Sequence, residues 1–168
     1  MRTVVSDGSG FTSSTFARHV LATRPDDDVL VLDALSYADN QDHLAECCDD
    51  GRFSNWCGNV TNGDPVRKAH AMLYFAAEAR AARSSCEDSL WFVTDIIGMQ
   101  TVANAVGKSD RARVFVHIST SEVYGTAQVE LTREAHSPNL WSPHLSAKVC
   151  AWRLWYSYRA ALGTPPSS

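Results

Sequence analysis

The chain has 168 residues and a mass of 18.4 kDa, the size of one domain, and its 45% hydrophobic and 20% charged residues exclude a disordered or fibrous polypeptide. Nineteen Asp and Glu against fifteen Lys and Arg give a net charge of -4, and no basic block is present to neutralise phosphates, so nucleic-acid binding is not expected. Apolar runs fall far short of the roughly 20 residues that span a bilayer, and Met1 runs straight into strand-like sequence, so a chain without membrane span or signal peptide, in the cytoplasm, is expected.

Strand and helix patterns alternate from the start. Residues 3–6 read as a short buried strand, followed by the turn Asp7, Gly8, Ser9, Gly10. The next segment, 11–23, carries Phe16, Ala17, Val20 and Leu21 at helical spacing. Pro25 and three aspartates end it, and 29–33 is a second strand closing on Asp33. A polar stretch with a turn at Asp49, Asp50 and Gly51 leads to a third strand, 52–57. Residues 72–75 form a fourth, closed by Ala76 and Ala77. A helix over 88–106 places Leu90, Val93, Ile97 and Thr101 on one face. Residues 113–119 are the clearest strand. A last helix over 143–162 carries Leu145, Val149, Trp152 and Tyr156 at helical spacing, with Pro143 in the first turn, where proline is tolerated. Gly163 stops it before an unstructured tail.

This alternation predicts one α/β domain, a Rossmann-like doubly wound parallel sheet. The five cysteines are odd in number and show no Cys-x-x-Cys pair, and the six histidines supply no metal spacing. Reduced, mostly buried thiols and no metal site are expected. His117 reads as a strand residue rather than a catalyst. Trp152, Trp155, Tyr156 and Tyr158 read as core or helix-pairing surface.

A glycine-bearing turn between the first strand and first helix is where a dinucleotide's pyrophosphate sits, because backbone N–H groups and the helix dipole face the anion. Gly8 and Gly10 lie in that turn. Asp33 closes the second strand at the distance of the acid that hydrogen-bonds an adenosine ribose, which favours NAD over NADP.

The stretch from Val31 to Asn40 resembles the second strand and loop of the dTDP-glucose 4,6-dehydratases, which are extended short-chain dehydrogenase/reductase proteins. Phe75, Ala76, Ala77 and Glu78 with Arg83 and Ser84, then Ile118 to Gly125, then Ser142 to Lys148, match in the same order. The resemblance implies a nucleoside-diphosphate sugar substrate, NAD as cofactor and a homodimer paired through the two long helices. It implies Gly8, Gly10, Phe11, Asp33, Asn59, Ala76 and Lys148 as cofactor-binding positions. In this family a Tyr-x-x-x-Lys pair takes the sugar C4 hydroxyl proton as hydride passes to NAD. A Glu then removes the C5 proton, an Asp protonates the departing C6 hydroxyl, and hydride returns to C6. Lys148 occupies the lysine position, Glu122 that of the C5 base, and Thr120 that of the hydroxyl that binds the C4 oxygen.

The departures are equally specific. His144 stands at the tyrosine position and Ser121 at that of the acid. The family's Gly-x-x-Gly-x-x-Gly positions hold Asp7, Gly10 and Ser13, an acid near the adenine is Asn59, and the segment from Gly58 to Ala76 is short. The resemblance further implies that the family's last strands and its sugar-nucleotide domain lie beyond this sequence. Two function classes follow: a sugar-nucleotide 4,6-dehydratase half, impaired or inactive by itself, or a non-catalytic nucleotide-binding or dimerisation module. Within the enzyme class, Thr120 to Gly125 also resembles UDP-sugar decarboxylases and UDP-N-acetylglucosamine dehydratases.

Overall fold

The computed structural model describes residues 1–35, 40–77, 92–125, 133 and 135–162. The motif residues 36–39, Glu78, Arg83 and Ser84, the first four positions of the helix expected over 88–106, and the stop at Gly163 with its tail lie outside the described residues.

Among the described residues there are five strands: β1 (Arg2–Ser6), β2 (Asp28–Asp33), β3 (Phe53–Cys57), β4 (Ala71–Tyr74) and β5 (Val114–His117). They form one sheet in the order β3-β2-β1-β4-β5, every pair parallel, with Val4 opposite both Leu30 and Met72. This is the doubly wound sheet expected from the alternation. Successive strand residues point to opposite faces, so Val4 and Val5 feed two cores. Val5, Val29 and Val31 pack beneath Ala17, Val20 and Leu21 of α1 (Phe11–Thr23). On the other face, Val4, Leu32, Met72, Tyr74 and Phe115 meet α2 (Gly98–Gly107) and α3 (Pro143–Leu162). Winding reverses between β1 and β4, and the carboxyl ends of these strands open the crevice in which such sheets bind ligands.

The rolls of two helices differ from the sequence reading. The segment before α2 is a π-turn, Phe92–Ile97, whose i→i+5 spacing breaks the 3.6-residue phase. Val93 and Ile97, expected to face inward, are exposed, and Asp95, Met99, Val102, Ala103 and Val106 are buried instead. Gly98 supplies the reason. A Cβ there would lie 2.6 Å from the Tyr74 hydroxyl and from Val60, so only glycine lets the helix close on β4 at this point. In α3 the inward stripe is Leu145, Lys148, Ala151 and Trp155, and Tyr156 is 60% exposed. Its roll is set by Trp155, whose ring centroid lies 3.9 Å from that of Phe115.

Three further differences are local. The polar stretch after β2 contains a 3-10 helix, Gln41–Cys47, in which Asn40 accepts a hydrogen bond from Asp42 N at 3.0 Å. The short connection from β3 to β4 carries only the 3-10 turn Val66–Lys68, leaving Trp56 exposed on the sheet. Among the described cysteines only Cys47 is buried. Cys48, Cys57 and Cys150 are free and exposed, Cys57 on the edge strand and Cys150 on the outer side of α3. No helix among the described residues is long and apolar enough to cross a membrane.

Candidate functional site

The turn after β1 is built by four residues with separate jobs. Asp7 adopts φ 57°, the left-handed region that glycine enters freely and that costs other residues about 1–2 kcal/mol. Its N–H donates to the Leu32 carbonyl at 2.8 Å, tying the turn to β2. Gly8 lies on Val31: a Cβ would come within 2.5 Å of the valine methyl carbon, so glycine is required here by packing. Ser9 N donates to Asp33 Oδ2 at 2.7 Å, and Leu35 N donates to Oδ1 at 2.7 Å. Asp33 is 1% exposed, and its carboxylate locks the turn to the end of β2. Gly10 caps α1 in extended conformation and offers no side chain to the first-turn N–H groups, which a helix start leaves without intrahelical partners. Phe11 stands at that mouth, 81% exposed.

Two neighbours of this turn carried no sequence signal. His43 Nδ1 lies 3.0 Å from the Ser9 carbonyl, brought there by the 3-10 helix. The Ser6 hydroxyl accepts the N–H groups of Phe75 and Ala76, each at 3.0 Å, joining the end of β1 to the exit of β4. Ala76 is thereby buried at the floor of the crevice. Asn59 is exposed, and its Oδ1 accepts from Thr61 N at 2.9 Å within its own turn.

A second cluster lies beyond β5. Thr120 accepts from Glu122 N at 3.3 Å and caps the 3-10 turn Ser121–Tyr124, on which Ser121 and Glu122 are exposed. This turn packs on α3. The Ser142 hydroxyl accepts from Leu145 N at 3.3 Å at the start of α3 and places His144 in the first helical turn. Lys148, one turn later, points inward. Its Nζ lies 2.7 Å from Asp95 Oδ1 of the π-turn, with side-chain exposures of 6% and 1%. No hydrogen bond joins Thr120 or Glu122 to Lys148.

Two described aromatic rings beside this pair, Tyr74 and His117, are uncharged at neutral pH. The His117 ring meets Tyr74 edge-on at 5.7 Å, and its Nε2 is buried without a hydrogen-bond partner. Burial, with the Lys148 ammonium nearby, pushes the His117 imidazole down to about 4. Burial first, then the carboxylates of Asp95 and Asp7, hold the Tyr74 phenol far above its ordinary range. Its hydroxyl donates to the Thr94 carbonyl at 2.6 Å. Among the described residues no group of His, Cys, Asp or Glu is arranged to hold a metal.

A profile of the NAD dependent epimerase/dehydratase family matches residues 4–168. The chain belongs to that family. A dTDP-glucose 4,6-dehydratase of Mycobacterium tuberculosis is 32% identical over 96% of this chain and 52% of its own length. The dTDP-glucose 4,6-dehydratase DesIV of Streptomyces venezuelae, solved with NAD bound, superposes with a TM-score of 0.90 at 30% identity, covering 98% of this chain and 53% of its own. A UDP-glucuronic acid 4-epimerase of Bacillus cereus reaches 0.89 at 19% identity over 99% of this chain and 55% of its own, a likeness of fold alone. The chain spans about half the length of the relatives it matches. In this chain the glycine turn leads into α1 on one face of the sheet, and the lysine helix α3 packs on the other.

Proposed function

We propose that this chain is the nucleotide-binding half of an NAD-dependent dehydratase acting on a nucleoside-diphosphate sugar, dTDP-glucose being the substrate that its 32% identical relative is named for. The observation that carries the reading is Asp33: a buried carboxylate that ties the glycine turn to the end of β2, beside the N-terminus of α1, where Gly10 offers no capping side chain. This donor set fits a dinucleotide, with one misfit. A Cβ on Gly10 would lie 3.2 Å from Asp7 Oδ2, so the Asp7 carboxylate overhangs the place where a pyrophosphate would sit. Binding is therefore weak, and selective for NAD because Asp33 repels a 2′-phosphate.

In this reading Gly8, Gly10, Phe11 and Ala76 shape the nucleotide cradle, and Asn59 stands at its adenine end. Lys148 stands at the position that would meet the nicotinamide ribose, with its ammonium held by Asp95. Thr120 and Glu122, on a turn at the carboxyl end of β5, would bind the sugar and accept its C5 proton. Ser121 and His144 stand where an acid and a phenol would act, and they leave the chain impaired. NAD, when bound, supplies the hydride acceptor. Calorimetric titration with NAD and NADP, beside a turnover assay with dTDP-glucose, tests the reading: NADP binding tighter than NAD overturns it.

A second reading, a dimerisation module, is favoured by the outward apolar residues Phe92, Val93 and Ile97 with Tyr156 of α3. Two such faces would cover each other in a homodimer. The two readings are compatible, and both suit a cytoplasmic protein.

A further inference from the structure

We propose that Asp95 is a positioning residue that takes Lys148 out of play, drawing its ammonium into the sheet–helix core and cancelling its charge on the neighbouring position 144. The inference rests on the reading of Lys148 as part of the nucleotide site. Positions 144 and 148 are one turn apart on α3 and share a face, so an unpaired ammonium at 148 would favour the ionised form of an acid at 144. Here that ammonium has a carboxylate oxygen at 2.7 Å. Seen from position 144, the two opposite charges act as a dipole, whose field falls off faster than that of one charge. Both groups are almost wholly buried, so solvent does little of the screening.

Asp95 is held in place by the fold, independently of any ligand. The π-turn offers the Thr94 carbonyl to the Tyr74 hydroxyl, and Gly98 seats the next turn on the same ring. Among the described residues, the Asp7 carboxylate bears on Tyr74 from the glycine turn, and it brings no positive charge that would replace the lysine's. Tyr74 of β4 and His117 of β5 are both neutral near pH 7. Glu122, on the turn packed against α3, is exposed and makes no bond to Lys148. A carboxamide at 95 would accept the same hydrogen bond yet leave the lysine charge standing. The chemical identity of residue 95 thus decides whether position 144 feels Lys148.

The test uses a reporter phenol. In His144→Tyr, the ultraviolet titration of the added phenol is obtained as the difference from the parent chain. With Asp95 intact, it should ionise near the ordinary tyrosine value of about 10. With Asp95→Asn added, its midpoint should fall by about one pH unit or more, a tenfold change in phenolate fraction. Adding Lys148→Met should then return it. Equal midpoints with Asp and Asn at 95, whether both ordinary or both low, overturn the proposal. Should Asp95→Asn prevent folding, the His144→Tyr chain alone still decides: a phenol titrating well below the ordinary value in the presence of Asp95 sinks the idea. NAD is absent throughout, so failure of the nucleotide-binding reading would show in the calorimetric titration and leave this result untouched.

Discussion

The Ser13 hydroxyl donates to the Asp7 carbonyl, so the two residues standing at glycine positions of the family turn are bonded to each other. Gly10 N donates to the same carbonyl at 3.1 Å. The turn has closed on itself with a compensating bond, and the two replacements are therefore unequal. Asp7→Gly removes both the left-handed strain and the overhanging carboxylate. Two unit charges 4 Å apart at an effective dielectric of 20 repel by about 4 kcal/mol, and a half-buried side chain feels part of that. NAD affinity measured by calorimetry should rise about tenfold or more in Asp7→Gly. Ser13→Gly, which deletes the hydroxyl bond, should add nothing. Equal gains from both would contradict the coupling.

Gly8 yields a second prediction, on stability. A Cβ 2.5 Å from Val31 cannot be accommodated without moving β2 or α1. Gly8→Ala should cost about 1–3 kcal/mol in urea unfolding, the usual range for overpacking. Pairing it with Val31→Ala should recover part of that loss, whereas Gly10→Ala, whose nearest contact would be 3.1 Å, should cost less.

This contrast shows what the sequence could and could not supply. Strand–helix alternation and the Asp33 spacing were enough for the sheet and for the glycine turn, because both are written in local periodicity. Gly8, read as a cofactor residue, proves also to be a packing residue, since its partner Val31 is distant in the chain. Helix roll was not legible either. Val93, Ile97 and Thr101 form as good a stripe as Met99, Val102 and Val106. Only the approach of Gly98 to Tyr74 chooses between them, and a π-turn leaves no mark in a 3.6-residue count. Asp95 was missed for the same reason: its partner lies 53 residues away on another helix.

His117 makes stability depend on acidity. Its folded-state value of about 4 lies below the ordinary 6.5, so the unfolded chain takes up a proton first as the pH falls. The contribution is complete above pH 6.5 and is lost progressively down to about pH 4, amounting to roughly 3 kcal/mol at most. Unfolding free energies measured by urea between pH 7 and pH 4.5 should fall with this slope. In His117→Phe that part of the slope should vanish.

Association is the next expectation. Ile97 is 46% exposed, and Phe92 and Val93 of the same π-turn are exposed with it, apolar surface of the kind that marks a partner face. Light scattering on a concentrated sample should give twice the monomer mass. Ile97→Lys with Tyr156→Lys should return the chain to monomer without loss of helical circular dichroism. A parent chain that scatters as a monomer would remove the dimer from the proposal.

The 168 residues by themselves should not convert dTDP-glucose, and His144→Tyr with Ser121→Asp should not make them do so. Hydride and proton transfer need the sugar held in near-attack geometry, and orientation of that kind is worth roughly 7–11 kcal/mol of barrier. It comes largely from binding the remote nucleotide part of a substrate, and the chain spans only about half of the relatives that carry such an activity in their names. Within the matched half, the Thr120 hydroxyl is engaged in its own turn and Lys148 is engaged by Asp95. A restored phenol would thus meet neither a positioned C4 hydroxyl nor an available ammonium. The decisive series assays the parent chain, the double variant, and the double variant fused to the carboxyl-terminal half of a relative, following 4-keto sugar and NADH absorbance. Product from the fusion alone is the expected outcome, with a further gain when Asp95→Asn is included. Product from the unfused parent chain would show that both His144 and the binding contribution of the other half have been misjudged.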